Sequence, residues 1–324
     1  TYQRAMYSRY VDAGDSAVAQ VLSGISTSPL EAVTWLKKLC GHPILLEKDS
    51  SCSRMSPEDL KKNSSKLQVL DTLVERLRTK GHRTLIFSQS TKMLDIIEVV
   101  LCRMKLSRID GSTKEKDRQR RVDDFNGGRG NVEVMLLSTK AAGVGLTLTG
   151  ADRAIIYDPS WNPAEDAQAV DRCYRIGQTK EVAVFRFITA GSVEEKMYEK
   201  QVHKDGIRRA VMTSMGSETM RYFDKDSLRK LFTLGPQGEC EFLERLRLNG
   251  LASAENSPES ILASHDGVVG VSSHDQLYTA NNLIDITNSA TGNFVATTGG
   301  KENPFSSAST PPQLGYNDKM GVKS

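Results

Sequence analysis

Apolar positions recur along this chain in two alternating registers. Leu67, Leu70, Leu73, Val74 and Leu77 return at three- and four-residue intervals and stop before Gly81, which predicts a helix closed by a glycine. Leu85-Ile86-Phe87 follows as a short unbroken apolar strand. Met93, Leu94, Ile97, Val100, Leu101 and Met104 form a second helical stripe, and Ile109 marks a brief strand before Asp110-Gly111. A charged helix is predicted over 113–126. Val132–Leu137 and Ala154–Tyr157 are nearly continuous apolar runs, the pattern of parallel strands covered on both faces. A helix over 163–176 and a strand at Val182–Ile188 complete the series. Strand and helix alternate at the spacing of βαβ units, so the expected fold is α/β, one doubly wound parallel sheet over 65–190.

The pattern weakens on both sides. Residues 1–64 read as a helical connector and a loop: a helix over 1–22, a second from Pro29 carrying Leu30, Val33, Leu36 and Leu39, and a polar surface loop over 48–65 broken by Pro57. Residues 191–250 predict a helical extension and brace, with helices over 191–215, near Leu228–Leu234 and over 239–248. Residues 251–324 are rich in Ser, Asn, Gly and Thr, with little periodicity, and read as a disordered tail.

Composition narrows the class. The chain has 324 residues, 38% hydrophobic and 26% charged, in the range of soluble globular proteins. No apolar run approaches the ~20 residues that span a bilayer, so no membrane partner is expected. Five scattered cysteines, Cys40, Cys52, Cys102, Cys173 and Cys240, lack Cys-x-x-Cys spacing and predict reduced intracellular thiols without a zinc site. The net charge of +3 divides unevenly: 251–324 carries seven acidic and three basic side chains, leaving 40 basic against 33 acidic elsewhere. A basic folded part with an acidic tail is compatible with nucleic-acid binding. The first residue is Thr1, which suggests a piece of a longer chain.

Candidate chemistry gathers at the strand ends, where open parallel sheets bind ligands. Ser88-Gln89 ends one strand. Another is followed by Ser138-Thr139-Lys140-Ala-Ala-Gly143-Val-Gly145-Leu-Thr147-Leu-Thr149, whose glycines let backbone amides approach a phosphate. It is not a dinucleotide fingerprint, since the third glycine would fall on Leu148. The predicted helix 163–176 has Asn162 as cap, Pro163 at its first position, Glu165 to complete a capping box and Gly177 to close it. Gln168, Arg172 and Arg175 then stand at i, i+4 and i+7 on one face. Two guanidiniums one turn apart suit a multiply negative target such as a triphosphate in its transition state. The same spacing also fits a solvated face on which Asp171 pairs with Arg175. Trp161, on a strand-end loop, reads from its size as packing against the lobe. Arg118, Arg120 and Arg121 read as a solvated face or, more sharply, as phosphate contacts.

The run Ser160-Trp161-Asn162-Pro163 followed by Gln-x-x-x-Arg-x-x-Arg-Ile-Gly-Gln, ending at Gln178, resembles the last helicase motif of Swi/Snf-type DNA translocases. Ser138–Thr149 resembles the fifth helicase motif, with Ala142 where Gly is frequent and Thr147 where Asn is frequent. Leu36-x-x-Leu39-Cys40-x-His42-Pro43 resembles the segment joining the two motor lobes. The surroundings of Arg221-Tyr222-Phe223 look most like the Cockayne-syndrome-B-like group, with the Polo-kinase-interacting checkpoint helicases.

This resemblance implies a RecA-like second motor lobe with helical flanks. Arg172 and Arg175 would be finger residues aided by Gln168, Gly143 and Gly145 would couple nucleotide to DNA, and Thr139, Lys140 and Trp161 would lie near double-stranded DNA. The implied cofactor is ATP with Mg2+, bound mainly by a first lobe. Neither a Gly-x-x-x-x-Gly-Lys-Ser/Thr loop nor an Asp-Glu pair occurs here, so phosphate cradle and magnesium ligands are expected upstream, and this chain alone is expected to be inactive. Implied partners are duplex DNA, the upstream lobe, and chromatin or mitotic proteins, in the nucleus. The competing expectation is a non-catalytic DNA-binding or scaffolding module. In the tail, Lys301-Glu302-Asn303 has the form of a KEN destruction signal and Ser257-Pro258 that of a proline-directed phosphorylation site.

Overall fold

A computed structural model of the chain describes residues 2–14, 16–23, 29–47, 55–143, 145–211, 225–248, 267–269, 271–273 and 294–299. Arg221–Phe223, Ser257-Pro258 and Lys301–Asn303 lie outside the described residues.

The apolar runs become strands β1 (Thr84–Ser88), β2 (Leu106–Ile109), β3 (Val134–Ser138), β4 (Arg153–Ile156) and β5 (Ala183–Ile188). They pair in parallel in the order β2-β3-β1-β4-β5. Successive side chains of a strand point to opposite faces, and the core divides accordingly. Ile86, Leu136 and Ile155 face one cluster, built with the stripes predicted at Leu67–Leu77 and Met93–Met104. Leu85, Phe87, Met135, Leu137 and Ala154 face the other, against Val122 and Phe125. This two-sided burial explains why these strands carry no polar alternation.

The helices follow the stripes. The flanking helices are α1 (Tyr2–Asp12), α2 (Ala17–Ser23), α3 (Leu30–Gly41) and α4 (Pro57–Lys62). Within the lobe lie α5 (Ser65–Thr79), α6 (Thr91–Val100), α7 (Glu115–Asn126), α8 (Thr139–Ala142) and α9 (Pro163–Val170). After it come α10 (Val193–Val211), α11 (Lys225–Phe232) and α12 (Glu241–Leu248). Two boundaries differ from expectation. The helix read over 1–22 is two helices, the first ending at Asp12 and the second starting at Ala17. The polar stretch around Pro57 is not all loop: Pro57 opens α4, where its missing N–H costs nothing, and Ser56 caps it by accepting the Asp59 N–H at 3.1 Å.

The connector and the brace share one apolar cluster, in which Tyr7, Val18, Leu36 and Leu39 meet Val193, Met197, Leu231 and Phe232. A buried ion pair ties this region to the lobe: Lys66 Nζ lies 2.6 Å from Glu194 Oε2. His42 is structural, its Nε2 lying 3.0 Å from the Leu60 carbonyl and its Nδ1 accepting the Ile44 N–H at 3.1 Å.

The tail expected to be without regular structure contributes two strands, β6 (Val271–Ser273) and β7 (Phe294–Gly299). β7 pairs antiparallel with β5 and parallel with β6. Their Val, Phe and Thr content favours extended backbone, and Val271 is buried in the main cluster. Strands of three and six residues are too short to stand out from the polar sequence around them.

Candidate functional site

The strand registers set the site. Ser88 lies beside Ser138 and Phe87 beside Ile156, so the loops that leave β1, β3 and β4 emerge at one level of the sheet. The chain order of the strands reverses about β1, which makes this edge a topological switch point.

The loop after β3 opens with α8, capped by Ser138 Oγ accepting the Ala141 N–H at 3.2 Å. Thr139 is buried within it, while Lys140 is exposed. Gly143 ends α8 in right-handed conformation, and Gly145 has φ +74°, a left-handed backbone that favours glycine. A methyl group on Gly143 would meet the Lys140 carbonyl at 3.1 Å and lie 3.8 Å from Gln168 Oε1.

The segment carrying the two arginines differs from the predicted helix. α9 starts as read, with Asn162 Oδ1 accepting the Ala164 N–H at 3.3 Å and Pro163 at the first position. The capping box closes through a third residue. Ser160 Oγ donates to Glu165 Oε2 at 2.6 Å and accepts the Asn162 N–H at 3.2 Å. Asp166 accepts the Ser160 N–H at 3.0 Å, and burial pushes its carboxyl up to about 7.

The helix then stops at Val170, not at residue 176. Its bonds tighten to i−3, from Arg172 N–H to Ala169 at 3.2 Å and from Cys173 N–H to Val170 at 3.1 Å. The Arg172 carbonyl, which a continuing helix would need, instead accepts the Leu148 N–H at 2.8 Å. Gly177, at φ +103°, lies in the following turn rather than at a helix end. Gln168, Arg172 and Arg175 therefore do not share one helical face. A tertiary bond to the β3 loop displaces the local helical one.

The result joins the two motifs. Arg175 is exposed, and its Nη1 donates to Thr147 Oγ1 at 3.1 Å and to the Gly145 carbonyl at 3.3 Å. Among the described residues no ion pair links it to Asp171, so the expected i, i+4 pair does not form. Arg172 is buried, at 4% exposure, and its Nε finds no partner among the described residues. Burial lowers its pKa, and the like charge of Arg175 lowers it further.

Trp161 is half-buried and packs against the cluster of α1–α3. It follows β4, which β1 separates from β3, so about 10 Å of sheet lies between its strand and that of Thr139. The three arginines of α7 are engaged locally: Arg118 with the Thr113 carbonyl, Arg121 with that of Arg108, and Arg120 with Asp117 at 2.9 Å.

Three contributors escaped the sequence reading. Lys37 of α3 donates to Gln89 Oε1 at 3.1 Å and to the Pro159 carbonyl at 2.9 Å, pinning the connector to two strand-end loops. Nothing in an amphipathic helix marks that lysine. Asp158 accepts the Gln89 N–H at 3.0 Å, and burial, opposed by Lys37, pushes its carboxyl up to about 6. Gln178 Nε2 donates to the carbonyls of Ala151 at 2.7 Å and Cys173 at 3.2 Å. It belongs to the motif, but its place in the run says nothing of this bridge.

Comparison with known proteins assigns the class. Residues 65–177 match the helicase conserved C-terminal domain. The ATPase core of Sulfolobus solfataricus SWI2/SNF2, solved with double-stranded DNA, superposes with a TM-score of 0.57 at 27% identity, covering 72% of this chain and 48% of that one. The fold is thus the RecA-like C-terminal lobe of a helicase-type ATPase. A zebrafish (Danio rerio) DNA excision repair protein ERCC-6-like is 42% identical over 284 residues, 78% of this chain and 19% of that protein. The rice (Oryza sativa subsp. japonica) DNA excision repair protein CSB is 37% identical over 288 residues, 86% and 22% respectively. The chain belongs to the Swi/Snf family, in its Cockayne-syndrome-B-like group, and spans about a fifth of the length of these relatives.

Proposed function

We propose that this lobe is the second half of an ATP-driven translocase on double-stranded DNA, and that a preceding lobe of the same parent protein supplies the first half. Arg172 carries the reading. A buried arginine, 4% exposed, whose Nε has no partner among the described residues is costly unless an anion reaches it. Arg175, three residues on, donates to neutral oxygens, and Asp171 acts on both arginines through space without a salt bridge among the described residues. The pair suits the γ-phosphate of ATP, whose cleavage supplies the free energy for movement. Gln168 would help place the arginines or the attacking water, and Gly143 and Gly145 would relay the state of the nucleotide to the DNA side. In this reading the magnesium belongs to the other lobe, which would also supply the phosphate cradle.

Thr139, Lys140 and Trp161 are the candidate DNA contacts, made to phosphates and therefore blind to sequence and sensitive to salt. Such a motor would act in the nucleus, on chromatin or on DNA–protein complexes. The test compares ATP turnover by this chain alone with turnover by the chain joined to its upstream lobe, with and without duplex DNA. Negligible turnover alone and DNA-stimulated turnover when joined are expected. DNA binding without turnover in the joined protein would establish a scaffolding module instead.

A further inference from the structure

The loop that touches both arginines is itself held by two side-chain amides: Gln178 donates to the Thr149 carbonyl at 3.3 Å, and Asn126 grips the loop from α7. Asn126 is the last residue of α7. Its Nδ2 donates to the Thr147 carbonyl at 2.8 Å, and its Oδ1 accepts the Gly150 N–H at 2.9 Å. Both ends of its amide therefore bond the backbone of one four-residue stretch. The approach is close: a methyl group on Gly150 would fall 2.9 Å from Asn126 Cα and 3.0 Å from the Phe125 carbonyl. Only a glycine lets the loop lie this near the helix end.

The same stretch faces the arginines on its other side. Thr147 supplies its hydroxyl to Arg175, and Leu148 supplies its N–H to the Arg172 carbonyl at 2.8 Å. The contact chain runs from α7 through Asn126 to 147–150, and from there to the Arg175 guanidinium and the Arg172 backbone. Breaking the second link frees the Arg172 carbonyl, whose capture is what ends α9 at Val170.

We propose that Asn126 is a positioning residue for the arginine pair, acting through the backbone of 147–150; its catalytic consequence rests on the function proposed above. Asn is suited to this task because its planar amide presents one donor and one acceptor together. Asp retains the acceptor for Gly150 but sets a charged oxygen against the Thr147 carbonyl. Ala loses both bonds.

Two measurements test this. Hydrogen exchange on the chain as it stands reads positioning directly. Asn126→Ala should accelerate exchange at Leu148 and over 172–178 by about tenfold or more, while amides of β1 and β3 keep their wild-type rates. In the two-lobed parent, the same variant should lower DNA-stimulated kcat about ten- to a hundredfold with KM for ATP within about twofold. Asn126→Asp should fall between Ala and wild type in both. Wild-type exchange over 172–178 in Asn126→Ala overturns the proposal. So does a lowered kcat accompanied by accelerated exchange throughout β1 and β3, which marks general loosening. If Arg172→Lys and Arg175→Lys keep full turnover, the finger reading fails, whereas the exchange result still decides whether Asn126 positions the segment.

Discussion

Arg175 and Thr147, 28 residues apart, are joined by a bond of 3.1 Å from guanidinium Nη1 to hydroxyl Oγ1. The contact welds the last helicase motif to the fifth and replaces the intrahelical pair with Asp171 that spacing suggests. Asn, frequent here in the motif that this run resembles, would offer an oxygen as the Thr147 hydroxyl does.

That oxygen is the basis of the first prediction. Thr147→Val keeps the shape and removes the acceptor. DNA-stimulated kcat in the two-lobed protein should fall about three- to tenfold, because Arg175 keeps only the Gly145 carbonyl. Thr147→Asn should restore it. Thr147 is exposed, so unfolding free energy should move by no more than about 0.5 kcal/mol. Single-turnover kinetics with a denaturation curve for each variant checks both.

Trp161 carries two expectations that can be separated. Packed half-buried against the α1–α3 cluster, it should cost about 2 kcal/mol when cut to Ala, read from the denaturant midpoint. As a DNA contact, Trp161→Ala should also raise the DNA concentration for half-maximal stimulation well beyond any change in ATP affinity. Trp161→Phe should recover most of the stability. An unaltered DNA response in Trp161→Ala leaves the side chain as packing alone.

The ion pair Lys66–Glu194 is a third target. Its members are 6% and 0% exposed, and Lys66 also donates to the Tyr157 carbonyl at 3.0 Å. Removing one partner strands a buried charge, so Glu194→Ala should destabilise the fold by about 3–5 kcal/mol. Lys66→Met with Glu194→Leu should be far less damaging than either charge left alone. Equal losses in the single and double variants would rule out the ion pair as the cause.

Much of this arrangement was legible in the sequence because it is local or repeated. The strands announced themselves as continuous apolar runs, since both faces of a parallel sheet are covered, and the stripe at Leu67–Leu77 named the face of α5. The motif residues were legible as a set, but the path of the backbone through them was not. A helix to residue 176 is what Asn162, Pro163 and Gly177 suggest locally. The Leu148 N–H that ends it at Val170 comes from 24 residues upstream, and no periodicity encodes it. Lys37 and Asn126 were hidden for the same reason. Their roles consist of carbonyls and amides supplied by distant loops, and each residue is unremarkable in its own helix.

Burial of Asp166 makes a pH prediction. Its carboxyl is pushed up to about 7, against about 4 in an unfolded chain. The folded state therefore holds a proton there that the unfolded state has released. The resulting stabilisation is complete below about pH 4 and is lost as pH rises through about 7. Asp158, raised to about 6, acts in the same direction. Asp166→Asn cannot titrate, so its unfolding free energy should decline less than that of wild type from about pH 5 to about pH 8, a range that spans the upper end of this window. Parallel curves for the two proteins would remove Asp166 as a source of the pH dependence.

The arginines bear the last prediction. A finger arginine is worth about 10³–10⁵ in rate in related phosphoryl-transfer systems, chiefly because it meets charge that develops in the transition state. Lysine keeps the charge and loses the planar fork. Arg175→Lys in the two-lobed protein should therefore lose most DNA-stimulated turnover while ATP affinity falls much less. Arg172→Lys carries a second signature. Arg172 is buried with an idle Nε, so lysine in its place should leave stability nearly unchanged or improve it slightly while turnover collapses. A residue kept for structure gives the reverse, with stability lost and turnover following the folded fraction. Asp171→Asn is the control: among the described residues Asp171 makes no salt bridge to Arg175 and acts on it only through space, so turnover should fall far less than in the lysine variants. Near-normal DNA-stimulated turnover in both lysine variants, with folding intact, would falsify the finger assignment and leave Arg175 as a strut for the loop of Gly145 and Thr147.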